Sequence, residues 1–153
     1  MFKQMIGIAL LVCANVASAA IDPIVDAEDR RNVEAPAIKA AAASKSSTLR
    51  TRAALAYGRI QSSAGLNPLL QLLKDKSPDV REAAAFALGQ LAWQADFAGG
   101  REAEIQTELS AALADNKQKV RLAALAAIGK IGLLQTPDLV ASALSSSDAK
   151  MRA

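Results

Sequence analysis

The sequence contains no histidine, and this absence removes most catalytic and metal-binding chemistry at once. No glycine-rich phosphate loop follows a strand, because no strand pattern is apparent. The serine-rich stretches 44–47 and 145–147 have no base beside them and read as turns between helices. We therefore expect no catalytic residue, no cofactor and no metal site in this chain.

Aromatic residues are also scarce, at 3% of the chain, and the formal net charge is only +3. So small a charge, without a basic run or a stacking platform, argues against nucleic acid as a partner. Alanine supplies much of the 52% apolar fraction. Because alanine-rich faces let helices approach closely, this composition favours stacked helices over a sheet core, in one domain or part of a repeat array.

The first stretch has the three parts of a signal peptide. Lys3 is positive, residues 5–16 are nearly all apolar, and residues 17–19 (Ala-Ser-Ala) are small enough for a cleavage site. We predict a signal peptide over residues 1–19, cleaved after Ala19, and a mature protein that is exported to the periplasm or the extracellular space. No membrane contact is expected after cleavage.

Two other fates of the leader compete with this prediction. An uncleaved anchor, which would make the protein a membrane-anchored adaptor, is disfavoured because about 12 apolar residues fall short of the roughly 20 that span a bilayer. A lipoprotein signal ending at Cys13 is disfavoured because Val12 stands where such signals need a small residue. Cys13 is the only cysteine, so cleavage leaves a mature chain without thiol or disulfide.

Residues 77–91 show the clearest helical pattern in the chain. Ser77 can cap this helix, and Pro78 stands at its first position, where a missing N–H costs nothing. The apolar residues recur at intervals of three and four and so share one helix face: Val80, Ala83, Ala84, Ala87, Leu88 and Leu91.

The pattern recurs, with an apolar residue before an arginine and a glycine nine residues after the apolar one. The three copies are Leu49, Arg50 and Gly58; Val80, Arg81 and Gly89; and Val120, Arg121 and Gly129. Four helix pairs fit one template, over residues 36–43 and 48–60, 68–73 and 78–91, 102–114 and 119–131, and a fourth that begins with 137–144. The sequence predicts an all-α, right-handed α-α superhelix of about three and a half helix pairs.

The ends of this array are predicted from the same register. The charged segment 26–31 indicates a short helix or entry cap, so we assign residues 20–35 to an N-terminal cap. Met151 and Arg152 stand where Val80 and Arg81 stand in the second copy. We therefore interpret residues 36–153 as a repeat array that is truncated in its fourth repeat.

The copies differ in length at one place. The interval is 31 residues from Leu49 to Val80 but 40 from Val80 to Val120, and all nine extra residues lie between Gly89 and Leu113. Because insertions in repeat arrays form loops that often bind partners, we predict a partner-binding site at Trp93, Phe97, Gly99 and Gly100. The alternative is that the two aromatic residues only cover gaps between helices.

The repeated Val-Arg-x-x-Ala-Ala-x-x-Leu-Gly-x-Leu/Ile motif resembles the HEAT repeat, in the short bacterial form also found in phycobilisome lyases. This resemblance implies a structural arginine ladder, with acidic or carbonyl partners near the preceding turn, at Arg50, Arg81, Arg121 and Arg152. The residue before the apolar position is acidic only in the second copy, as Asp79. Ligand contact by these arginines is the alternative role. Arg52 falls on the predicted buried face, and we expect its charged head to reach water.

A narrower resemblance concerns residues 28–31, 50–60 and 84–89. They are similar to exported bacterial proteins in which a HEAT array precedes a cyclophilin-type peptidyl-prolyl isomerase domain. The sequence thus predicts a non-catalytic protein-interaction scaffold outside the cytoplasm, with a protein or peptide partner and an oligomeric state left open. The alternative is the N-terminal part of an exported isomerase whose catalytic domain would follow residue 153.

Overall fold

The computed structural model describes residues 23–91 and 98–132. The described chain begins in a helix, α1, that runs over residues 23–29. Six further α-helices follow: α2 (Pro36–Ala42), α3 (Ser47–Ile60), α4 (Leu66–Leu72), α5 (Pro78–Leu91), α6 (Glu102–Leu113) and α7 (Gln118–Ile131). The described residues contain no strand, so the all-α prediction is confirmed. The leader, the predicted helix at 137–144 and Arg152 lie outside the described residues.

The helices form two layers. The second helices of the pairs lie side by side, with α3 packed on α5 and α5 packed on α7. Each first helix packs on the second helix of its own pair: α2 on α3, α4 on α5 and α6 on α7. None of the described helices is long and apolar enough to cross a membrane.

The central helix α5 is buried on most of its circumference. Its six predicted face residues are all buried, with exposed fractions of 6% or less. Ala85 and Gly89 are buried as well, although neither belongs to the predicted stripe. The reason is that α5 is covered from three directions, by α3, α4 and α7, and only one side of it faces solvent.

Two of the glycines that recur in the repeat, Gly58 and Gly89, allow the neighbouring helices α3, α5 and α7 to approach closely. A methyl group added at Gly58 would lie 2.8 Å from the Cβ of Ala87 and 2.9 Å from its Cα. At Gly89 the corresponding distance to the Cα of Ala127 is 3.0 Å. The glycine of one copy therefore packs against an alanine of the next, which explains why the repeat keeps both.

We expect Gly58→Ala to lower the free energy of unfolding by about 2 kcal/mol, because overpacking costs more than the roughly 1 kcal/mol of helix propensity that alanine adds. Gly65→Ala is the control. Gly65 has φ of −73°, and its added methyl would meet Tyr57 at an ordinary 3.4 Å. Urea titrations of both variants should show destabilisation only for the first. Equal stabilities would contradict the close approach of α3 and α5.

The start of α4 differs by two residues from the approximate start predicted at Pro68. The helix begins at Leu66 rather than Pro68, directly after a 3₁₀ turn at Ser63–Gly65. Proline is tolerated anywhere in the first turn, because the N–H groups there have no helical acceptor. A proline therefore locates a helix start only to within a turn. The starts of α3 and α7 each differ from the prediction by one residue.

The residue after α1 makes the same kind of hydrogen bond to α3 that the residue after α3 makes to α5. Arg31 and Gln61 follow the ends of α1 and α3, and both adopt the left-handed conformation, with φ of 52° and 53°. Arg31 Nη2 donates to the Ile60 carbonyl at 2.7 Å, and Gln61 Nε2 donates to the Gln90 carbonyl at 3.4 Å. Each side chain thus donates to a backbone carbonyl in the last turn of the neighbouring helix, which is α3 for Arg31 and α5 for Gln61. By this relation α1 stands in the place of a second helix ahead of the first pair.

Candidate partner-binding surface

The sequence-predicted site lies at the junction of the two described ranges. Gly99 and Gly100 form an exposed turn with φ of 54° and 80°, where a side chain would be strained. Ala98, just before them, is 2% exposed. Trp93 and Phe97 lie outside the described residues, so their place in a binding site stays a prediction.

The end of this insertion is fixed to the first-helix layer. Arg101 follows the glycine pair, and its guanidinium donates to Asn67 Oδ1 on α4 at 2.6 Å. It also donates to Glu104 Oε2 on α6 at 2.7 Å. These bonds fix where the insertion rejoins the helices.

The first arginine of the predicted ladder is nearly enclosed. Arg50 donates from Nε and Nη2 to the two carboxylate oxygens of Asp75, at 2.6 and 2.8 Å. Its Nη1 donates to the carbonyls of Ser44 and Lys45 in the preceding turn. The Arg50 hydrogen bonds hold the pKa of the Asp75 carboxyl below its usual value. All three guanidinium nitrogens are thus occupied within the protein.

The second arginine repeats this geometry one pair later. Arg81 donates to both oxygens of Asp115, at 2.6 and 2.9 Å, and to the carbonyls of Asp75 and Lys76. Arg121 donates to the carbonyl of Asp115 at 2.8 Å. Asp75 and Asp115 therefore each serve two repeats, by carboxylate to the arginine before and by carbonyl to the arginine after.

The acidic partners are not those that the sequence suggested. Asp79 makes its ion pair with Lys119 of α7, while Asp75 and Asp115 bind the ladder arginines. The sequence does contain a pattern that marks these aspartates, because Asp75 stands six residues before Arg81 and Asp115 stands six residues before Arg121. This pattern identifies the acidic partner only if each arginine is expected to bind the aspartate before the next repeat as well as the carbonyls of the turn before its own helix.

The expectation for Arg52 is also wrong, because its head group does not reach water. It forms a two-point ion pair with Glu28 of α1, with Nη2 to Oε2 at 2.6 Å, and the two side chains are only 16% and 12% exposed. Burial alone would raise the pKa of Glu28, but hydrogen bonds and charge from Arg52 and Arg59 lower it. The Glu28 carboxylate on α1 thus compensates the charge of Arg52 on α3.

The open side of the second-helix layer forms one continuous surface, which we call the second-helix face. It consists of four equivalent positions on each of three helices, and none of its members is buried: Thr48, Thr51, Leu55 and Arg59 on α3; Asp79, Glu82, Phe86 and Gln90 on α5; and Lys119, Leu122, Ala126 and Lys130 on α7. Each set follows the spacing i, i+3, i+7, i+11 of one helix side.

Phe86 lies at the centre of the second-helix face and is 41% exposed. Its ring is 5.0 Å from Nζ of Lys130, a cation–π distance. Leu55 and Ala126 occupy the equivalent positions on the neighbouring helices. The sequence reasoning missed Phe86, although it is the only aromatic residue of α5 and falls outside the predicted buried stripe.

Charge is distributed unevenly along this face. Near the start of the helices, Lys119 forms ion pairs with Asp79 and with Glu82, the latter at 3.1 Å, and these bonds raise the lysine pKa. Near the helix ends stand Arg59 and Lys130, on either side of Gln90. Arg59 is 56% exposed and reaches Glu28 only at 3.4 Å. The start of the face thus keeps one negative charge in excess, two carboxylates against one lysine, and its end is basic.

The described residues offer little that resembles a reaction site. They contain no group of acidic or thiol side chains that could hold a metal ion. A cavity of about 300 Å³ between α4 and α6 is lined by charged residues that pair with one another, Lys74 with Glu108 and Arg101 with Glu104.

Comparison with known proteins agrees with this architecture. Residues 34–106 match the family model for HEAT repeats. Over these residues the chain is therefore similar to HEAT repeats. The match runs from just before α2 into α6 and includes Arg50, Arg81 and the central helix. HEAT repeats generally act as protein-interaction scaffolds and are typically non-catalytic. The search of curated proteins gave no match to the chain.

Proposed function

We propose that this chain is a non-catalytic protein-interaction scaffold that acts outside the cytoplasm and binds its partner on the second-helix face. The observation that carries the proposal is the exposure of Phe86 at the centre of a face without a single buried member. Exposed aromatic residues surrounded by polar groups favour protein contacts, because aromatic side chains dominate binding energy at interfaces. Arg50 and Arg81 have every guanidinium nitrogen bonded inside the array and so support the fold.

The location outside the cytoplasm rests on the leader. A positive residue, an apolar run of signal-peptide length and a small-residue cleavage site precede the helices. Mass spectrometry of the protein from the native host should find the mature N-terminus at Ala20 or within a residue or two of it. A retained leader, or a lipid on Cys13, would overturn this part of the proposal.

Partner binding is tested by site-specific crosslinking in the host. A photoreactive amino acid placed at Phe86 should capture a protein partner, whereas the same residue at Thr107, exposed on α6 of the first-helix layer, should not. The Phe86→Ser variant, with the crosslinker moved to Gln90, should lose the product. Equal capture from both layers would contradict a binding site on the second-helix face.

The narrower resemblance supports a second candidate, in which the array is the N-terminal part of an exported peptidyl-prolyl isomerase. The chain then delivers proline-containing substrates to a catalytic domain encoded further along the gene. Reading the gene beyond residue 153 tests this directly. A cyclophilin-type domain there would favour the isomerase over a stand-alone scaffold.

The insertion should add to the binding surface, because α5 ends one residue after Gln90 and the insertion follows it at the basic end of the face. We expect Trp93 to be partly accessible to acrylamide, with a quenching constant well above that of a buried indole. Trp93→Ala should weaken partner binding more than it lowers the unfolding midpoint in urea. A fully shielded indole, with unfolding on substitution, would assign Trp93 to packing instead.

A further inference from the structure

The distribution of charge and apolar side chains on the second-helix face specifies the chemistry of its partner. We propose that this face binds an extended peptide segment that carries an apolar residue between two carboxylates. This inference rests on the proposed scaffold function and makes it specific. The apolar residue contacts Leu55 and Phe86, and the carboxylates pair with Arg59 and Lys130.

The apolar contact follows from the row that crosses the three helices. Leu55, Phe86 and Ala126 occupy equivalent positions on α3, α5 and α7, and the central member is the most exposed large apolar side chain of the three helices. Leu122, one turn earlier on α7, is half-buried beside this row. An apolar side chain from a partner would remove the Phe86 ring from water, which is favourable in proportion to the area covered.

The carboxylates follow from the basic end of the same face. Arg59 is 56% exposed, and the carboxylate nearest to it already receives two bonds from Arg52. Lys130 has no carboxylate within ion-pair distance among the residues that the structure describes, and its ammonium rests over the Phe86 ring. Both cations can therefore accept an external carboxylate without breaking a strong internal pair.

The other end of the face limits how much negative charge the partner carries. Asp79 and Glu82 lie on the same side of α5 and are held by one lysine, Lys119. A long polyanion that covered the whole face would meet these two carboxylates and be repelled. A short segment with two separated acids avoids them, so a peptide fits better than a nucleic acid strand.

The spacing of the two cations sets the length of the segment. Packed helices lie about 8–10 Å apart, so the axes of α3 and α7, the helices that carry Arg59 and Lys130, are separated by about 16–20 Å. An extended chain rises about 3.3 Å per residue, so about five or six residues span that distance. The peptide thus crosses the helices, with its apolar residue near the middle.

The test is selection of random twelve-residue peptides displayed on phage against the purified chain. The expected result is enrichment of peptides with an apolar residue flanked by aspartate or glutamate. The Arg59→Glu, Lys130→Glu double variant should bind the selected synthetic peptides about tenfold more weakly, as loss and reversal of two exposed charges imply. Lys39→Glu with Lys76→Glu is the control, since it makes the same change of net charge away from Arg59 and Lys130.

The outcomes separate this inference from the function on which it rests. Peptides that depend on Phe86 but show no acidic preference, or that bind the double variant equally well, overturn the acidic partner and leave the scaffold function standing. No enrichment, or binding indifferent to Phe86→Ser, overturns both. Circular dichroism melts of every variant ensure that lost binding is not lost folding.

Discussion

Leu88→Asp should abolish the cooperative unfolding transition of the array. Leu88 is 0% exposed on the central helix, which contacts α3, α4 and α7. The variant loses a buried leucine, worth about 2–5 kcal/mol, and leaves a carboxylate without a partner in the core. Together these losses are comparable with the roughly 5–15 kcal/mol stability of a whole domain.

Gln90→Asp is the matched control for this change. Gln90 lies two residues further along α5, on the second-helix face, and is not buried. We expect its free energy of unfolding to stay within about 1 kcal/mol of the wild-type value, as for most surface substitutions. Thermal and urea melts followed by circular dichroism report both variants. Similar losses at the two positions would mean that the assigned faces of α5 are wrong.

The buried side of α5 was predictable because it depends on a local period. Apolar residues at intervals of three and four must share a helix face, and Val80, Leu88 and Leu91 are buried as that rule requires. The glycines were visible as a repeat, but their packing against alanines of the next copy needed the distance between two helices. Periodicity reveals which side of a helix is apolar and leaves open how closely a neighbour approaches.

Contacts between repeats could not be predicted in the same way. The acid that binds Arg50 lies 25 residues away and the acid that binds Arg81 lies 34 away, across a whole helix pair. Proximity along the chain favoured Asp79 as the acidic partner of Arg81, but Asp79 pairs with Lys119 on α7 instead. For Arg52 the compensating carboxylate comes from α1, ahead of the first complete pair.

The exposed aromatic residue was overlooked for a related reason. The sequence predicts a binding site at Trp93 and Phe97, because these two of the few aromatic residues lie in the insertion where the repeat length changes. Phe86 lies within a regular copy, so only its position relative to the stripe marks it as exposed. A regular repeat can thus expose an aromatic residue on the side of the helix that the repeat motif leaves unspecified.

The second large effect concerns the arginine ladder. Asp75→Ala should lower the free energy of unfolding at pH 7 by about 3–5 kcal/mol, the range for removing one partner of a buried ion pair. The Arg50 and Asp75 side chains are only 8% and 12% exposed, so the guanidinium would keep its charge without a counter-ion. The variant also loses the Ser77 N–H bond to Asp75 Oδ1, at 2.8 Å.

Asp79→Asn provides the comparison, since Asp79 stands on the other side of Pro78 and is 65% exposed. Its ion pair with Lys119 is solvated, and such pairs contribute about 0–1 kcal/mol. Urea titrations at pH 7 should therefore separate the two aspartates clearly. If Asp79→Asn costs as much as Asp75→Ala, the ladder does not have the partners described above.

The effect of Asp75→Ala should also depend on pH in a definite direction. Because Arg50 lowers the pKa of the Asp75 carboxyl in the folded state, the ion pair contributes its full stability above the unfolded pKa of about 3.9. That contribution is lost as the pH falls through the lower, folded-state pKa. The gap in unfolding free energy between wild type and variant should thus be constant from pH 7 to about 5 and shrink below pH 4. A gap that stayed constant down to pH 2 would show that the loss came from packing and the Ser77 bond, and that the charge of Asp75 contributes nothing.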